Sequence, residues 1–144
     1  MKNKMDMQTF KVIGPCITRL LFDVAQMHYT HFLTRKNHHH VVIGETYEEF
    51  EEDLDELTEQ FLGTFVGDYK VVDLLKSDMM SKEAFYFRPI KEEKEILSYL
   101  DEVSARVEKG LSFVITKPEL RFMQDTLSDL VAILKTAKYQ IAQE

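Results

Sequence analysis

The chain of 144 residues contains one cysteine, three prolines, five glycines and no tryptophan. With Cys16 alone, no disulfide framework can form within one chain, and a single thiol fits a reducing compartment. No apolar run approaches the roughly 20 residues of a membrane span. The polar start Met1-Lys-Asn-Lys-Met-Asp-Met7 lacks the form of a signal peptide, so a cytoplasmic location is expected. Gly14, Gly44, Gly63, Gly67 and Gly110 stand singly, which excludes a glycine-rich phosphate loop. Basic residues number 18 against 25 acidic ones, a net charge of −7 that argues against generic binding to nucleic acid. There is no internal repeat, low-complexity linker or composition break, so residues 1–144 read as a single domain. At 44% hydrophobic and 30% charged residues, the chain is not a disordered one. Histidine is confined to one stretch: all five lie between His28 and His40.

What is present is helical periodicity. Ile17, Leu20, Leu21, Val24, Met27, His28 and His31 recur at three- and four-residue steps, predicting a helix from Pro15 to about Thr34 with both histidines on its buried face. Asn37 and the histidine run read as a connecting loop, with Gly44 as a turn residue. A second helix is expected from Glu45 or Thr46 to about Gly63, striped by Tyr47, Phe50, Leu54, Leu57 and Phe61. Val71 to Leu75 reads as a short helix and Ala84 to Phe87 as extended chain before Arg88-Pro89, its aromatics plugging the bundle. A third helix from about Ile90 stops at Gly110, with Leu111 to Ile115 as a link. Thr116-Lys-Pro-Glu119 resembles a capping box opening the last helix. Four amphipathic helices in this length imply an all-α, antiparallel four-helix bundle with a histidine-rich loop between the first two helices.

The residues with chemistry to offer are the histidines and the acids of the second helix. His28 and His31 lie one turn apart and could share a metal, or each could satisfy one hydrogen bond near a helix end. Three adjacent histidines cannot all face one point, so of His38, His39 and His40 only one or two could join a site. Most acids from Glu45 to Glu59 must form a solvated face. Asp55 and Glu59, four apart, project together at the bundle's margin. Mixed imidazole and carboxylate donors suit iron, manganese or zinc. Cys16, at the expected start of a helix, reads as packing.

The segment from His31-Phe32 through His40-Val-Val-Ile-Gly44 and Tyr47 to Asp55 and Glu59 resembles small phage and viral proteins with a ferritin-like helical bundle. Asp125-Thr126, Leu130-Val131 and the Lys135–Tyr139 segment are also similar to that family. More distantly, the segment is similar to the DNA-protecting mini-ferritins. Their first-helix histidine, second histidine twelve residues on and Asp-x-x-x-Glu pair form an oxidation site across a dimer interface. His28, His40, Asp55 and Glu59 stand at those separations, whereas the phage-type alignment uses His31 as the first ligand. This chain departs from the mini-ferritin pattern at Gly44, where an acid is expected that Glu45 or Glu48 would have to replace. It departs again in the phenylalanine or tyrosine after the first histidine, where tryptophan is usual, and in having only Lys2 and Lys4 in place of a basic tail.

The resemblance implies a homo-oligomer of at least two copies. It also implies an iron-type metal held by His28 or His31 with His40, Asp55 and Glu59, and at most a ferroxidase-like activity. The rival expectation is a metal-free acidic module that binds or inhibits a host protein. Neither reading calls for an organic cofactor, a membrane or nucleic acid.

Overall fold

A computed structural model describes residues 4–64 and 86–143, and four long helices account for most of them. Helix α1 (Lys4–Leu33) is followed after three residues by α2 (Asn37–Thr64). Helix α3 (Glu93–Ile115) leads through a 3-10 turn (Pro118–Leu120) into α4 (Arg121–Ala142). No strand occurs among the described residues. The apolar stripes meet in one core, where Ile17, Leu20, Phe50, Leu54, Leu100, Leu127 and Leu130 are fully buried.

Around the bundle, α1 packs on α2, α2 on α4 and α4 on α3, while the α1–α3 seam is the most sparsely filled. His39 at the start of α2 reaches Glu93 at the start of α3. Lys117, just past α3, reaches Gln8 near the start of α1. Helices α2 and α3 therefore run the same way, opposite to α1 and α4. The end of α2 and the start of α3 lie at opposite ends of the bundle.

Several boundaries differ from the expected ones. Helix α1 begins at Lys4 and runs through Pro15. A proline inside a helix costs about 3 kcal/mol, because it removes the donor for the carbonyl four residues back. Ile13 and Ile17, fully buried on either side of it, each contribute about 1.5–3 kcal/mol, so the helix continues. The expected histidine-rich loop does not exist as a loop: α2 starts at Asn37, and His38 to His40 form its first turn. Gly44 and Gly110 lie inside α2 and α3 and are neither turn nor stop. A Cβ on Gly110 would stand 3.2 Å from the Cys16 Sγ, so this glycine lets α1 approach α3. Thr116 caps the end of α3, and Leu111 to Ile115 complete that helix. Helix α3 begins at Glu93, three residues after Ile90, because Glu92 and Glu95 form a reciprocal capping box. The expected Val71–Leu75 helix and Phe85 lie outside the described residues. Phe87 stacks on Phe22 at 5.0 Å but stays about half exposed, and Tyr86 is exposed, so these two aromatics lie on the bundle surface and do not plug it.

Candidate functional site

The tight turn between α1 and α2 brings the end of one helix against the start of the next, and His31 and His40 meet there. Their rings stack with centroids 3.8 Å apart. His31 Nδ1 donates to the His40 carbonyl at 2.9 Å, and His40 Nδ1 donates to the His31 carbonyl at 2.9 Å. A carbonyl can only accept, so each Nδ1 carries a proton, and in the neutral form of either ring the lone pair falls on Nε2. A backbone carbonyl fixing the tautomer in this way is the usual support of a metal-binding imidazole.

Gly44 makes the arrangement possible. A Cβ there would stand 2.9 Å from His31 Cε1 and 3.1 Å from Nδ1, so the ring lies where a side chain would begin. The acid missing at this position relative to the mini-ferritin pattern is thus replaced by room for an imidazole.

His28 is exposed, in contrast to the buried position that its periodicity implies. It lies toward the α2 side of α1, where its ring stacks on Tyr47 at 4.4 Å and on Phe32 at 4.8 Å. Helical spacing alone could not distinguish the core from this rim. Asp55 and Glu59 are exposed as well. Asp55 is eleven residues beyond Gly44 and so points nearly the same way, but about 16 Å further along the axis. From His40 the axial distance is about 22 Å. One chain therefore does not bring Asp55 or Glu59 to His31 and His40. Among the described residues no group of three or more histidine, cysteine or acidic side chains is placed to hold a metal ion.

The remaining two histidines tie α2 to the rest of the bundle. His38 Nε2 donates to the Gln140 carbonyl in the last turn of α4, which also accepts from the Gln143 amide. His39 is buried, with Nε2 3.4 Å from a Glu93 carboxylate oxygen. Two of the five histidines are thus structural.

The sequence reading missed a polar cluster on the α1–α3 seam. Asp23, 1% exposed, receives a two-pronged bond from Arg106, with Nε to Oδ2 at 2.8 Å and Nη2 to Oδ1 at 2.6 Å. The Tyr99 hydroxyl donates to Oδ1 at 2.6 Å. Burial, then the neighbouring carboxylate, pushes the Tyr99 hydroxyl well above its usual value and keeps it a donor. Burial opposes the charge on Arg106, but its bonds to Asp23 outweigh that and raise its pKa. Next to this cluster, Gln26 holds Arg88 by two backbone bonds, from Nε2 to the carbonyl at 3.0 Å and from the Arg88 amide to Oε1 at 2.9 Å. The available signal was a charged residue between apolar positions on each helix: Asp23 within Leu20–Val24 and Arg106 within Val103–Val107.

The Asp53 carboxyl is raised above its ordinary value, first by partial burial and then by Asp129, Glu56, Glu52 and Glu49. A raised carboxyl penalises the folded state above its pKa, and the penalty lifts as pH falls through that value. Asp53→Asn is therefore expected to stabilise the fold at neutral pH by less than about 1 kcal/mol. The gain should disappear in acid; thermal melts at pH 7 and pH 3 check it, and a gain equal at both would contradict this origin.

Comparison with protein families, curated proteins and solved structures finds no match. The chemistry of the site therefore rests on its own residues. It offers two imidazoles with lone pairs set by backbone carbonyls, a third exposed imidazole beside them, and two carboxylates further down the same helix pair.

Proposed function

We propose that this chain is a phage-type, ferritin-like bundle protein that works as a homo-oligomer of at least two copies. In this reading it binds an iron-type metal (iron, manganese or zinc) between copies on the outer face of the α1–α2 pair. His31 and His40, with His28 at the rim, supply the nitrogen donors of one copy, and Asp55 and Glu59 of the other copy supply the oxygen donors. The observation that carries this reading is the separation itself. The two halves of the donor set sit on neighbouring parts of one surface but too far apart to meet within a chain. A twofold, antiparallel pairing brings each half opposite the other half of its partner, as any isologous interface does. The helix directions, with α2 and α3 parallel and the end of α2 at the opposite end of the bundle from the start of α3, also support the ferritin-like assignment. Bound metal would supply Lewis acidity and, if it is iron, an electron to an oxidant. The chain's own part is to hold two imidazole lone pairs in place.

Metal content and mass in solution, measured on protein purified without a tag, test the proposal. The expected result is stoichiometric metal in a dimer or larger assembly. The His31→Ala/His40→Ala and Asp55→Ala/Glu59→Ala variants should each lose the metal while staying folded. Folded, metal-free protein after incubation with ferrous iron, manganese and zinc would reject it.

The metal-free interaction module is the second reading. It is favoured by Phe32, 70% exposed at the end of α1, and Val41, 45% exposed in α2 one turn before the first of its acids. Capture of one host protein, abolished by reversing the charges of Glu52 and Glu56, would favour this reading over the first.

A further inference from the structure

The α1–α3 seam carries a second feature, on a different side of the bundle from the histidines. A cavity of about 360 Å³ opens there, within the size range of small-ligand sites. It is lined by Val12, Pro15, Cys16 and Gly110 together with the cationic Lys11 and Arg19 from α1 and Arg106 and Lys109 from α3. Lys11, Pro15 and Arg19 are spaced four apart and share one face of α1. Arg106 and Lys109 are three apart and share one face of α3. In a chain of net charge −7, Lys11 and Lys109 bring cationic charge to this apolar lining from opposite sides, next to the Asp23-paired Arg106.

The site is also built from below. The fork from Arg106 to buried Asp23 uses Nε and Nη2, which fixes the guanidinium plane and leaves its Nη1 edge outside that fork. Arginine held in this way is pre-organised for a second planar or tetrahedral anion. Arg19 and Arg106 also line the neighbouring cavity of about 230 Å³, so they form the wall between the two. The Cys16 thiol in the lining is no nucleophile, because burial, and then Asp23, push it up to about 11 against the opposing pull of Arg106 and Lys109. It serves as an apolar surface.

We infer that this groove binds a small phosphate monoester, its phosphate held by Lys11, Arg106 and Lys109 and its apolar body resting on Val12, Pro15 and Cys16. Lys11 and Lys109 face one cavity from two helices, and a dianion between them compensates both charges while accepting from the outer edge of Arg106. The apolar lining distinguishes an ester from free phosphate.

Calorimetric titration of the full chain with hexyl phosphate, inorganic phosphate and hexanol tests the inference. Hexyl phosphate is expected to bind saturably and to raise the melting temperature. Its binding should weaken with added salt, and both inorganic phosphate and hexanol should bind at least about tenfold more weakly. Lys11→Gln/Lys109→Gln, two exposed residues outside the core, should reduce hexyl phosphate affinity by about tenfold or more with an unchanged melt of the free protein. Three results would overturn the inference: no binding of hexyl phosphate at millimolar concentration, equal binding by the double variant, or free phosphate binding as tightly as the ester. A single-stranded oligonucleotide that binds more tightly than the ester and loses its binding in the same variant would also overturn it. None of these outcomes bears on metal binding at the histidines.

Discussion

Replacing Asp23 with alanine is expected to destabilise the fold by about 3 kcal/mol or more, the largest effect of any single polar substitution in the described residues. The substitution leaves the Arg106 guanidinium and the Tyr99 hydroxyl facing the vacated, buried position. Removing one partner of a buried ion pair costs about 3–5 kcal/mol, chiefly because the other charge loses its compensation. The Arg106 side chain is 23% exposed, so water offsets part of the loss and places the cost at the lower end of that range. Urea unfolding should show a lower midpoint with an unchanged slope. The double variant Asp23→Leu/Arg106→Leu separates causes. If the uncompensated guanidinium is the main cost, the double variant recovers much of the stability; a loss as large as that of Asp23→Ala alone would place the cost in the lost α1–α3 contact. Asp23→Ala should also weaken the phosphate-ester groove, since it frees the arginine that the fork positions.

Gly44→Ala is expected to leave stability nearly unchanged while disrupting the histidine pair. Alanine gains about 1 kcal/mol over glycine inside a helix. Its Cβ, however, would meet His31 Cε1 at 2.9 Å. The ring has no easy escape, because Nδ1 is bonded to the His40 carbonyl and its face is stacked on the His40 ring. Displacing it sacrifices up to two hydrogen bonds, each worth about 1 kcal/mol net. The two terms nearly cancel in the melt and do not cancel in function. Loss of the supports that orient metal-binding imidazoles typically reduces affinity about 10- to 100-fold, and a zinc or ferrous titration should show a loss of that order. Imidazole NMR signals give a readout that needs no metal: those of His31 and His40 should shift while that of His39 stays in place. Unchanged His31 and His40 signals would show that the ring tolerates the methyl and that Gly44 has no such role.

These two expectations also mark how far the residues alone could be read. The stripes on α2, α3 and α4 were legible because a three- and four-residue apolar period survives in any helix with one buried face. Met123, Leu127, Leu130 and Leu134 are buried as their spacing implies. Punctuation was less legible. Pro15, Gly44 and Gly110 look like boundaries in a linear chain, and each lies inside a helix. Local propensity costs of about 1–3 kcal/mol were overridden by burial and close approach that only the neighbouring helix supplies. His28 and Asp23 were misjudged for a related reason. Periodicity gives an angle around one helix but not the position of the next helix, so a histidine was assigned to the core and a buried aspartate passed unnoticed.

Composition and period by themselves determined an all-helical chain, acidic, with its imidazoles gathered in one stretch beside a run of carboxylates. Tertiary structure decided which of those imidazoles touch. It set His31 and His40 face to face over Gly44, made latches of His38 and His39, and left Asp55 and Glu59 three and more turns away. It also joined Asp23 to Arg106 across 83 residues of sequence. The division has one physical cause. Helix formation and amphipathicity are local properties, repeated every few residues. The convergence of side chains from different helices depends on crossing, register and close approach, which no single segment encodes.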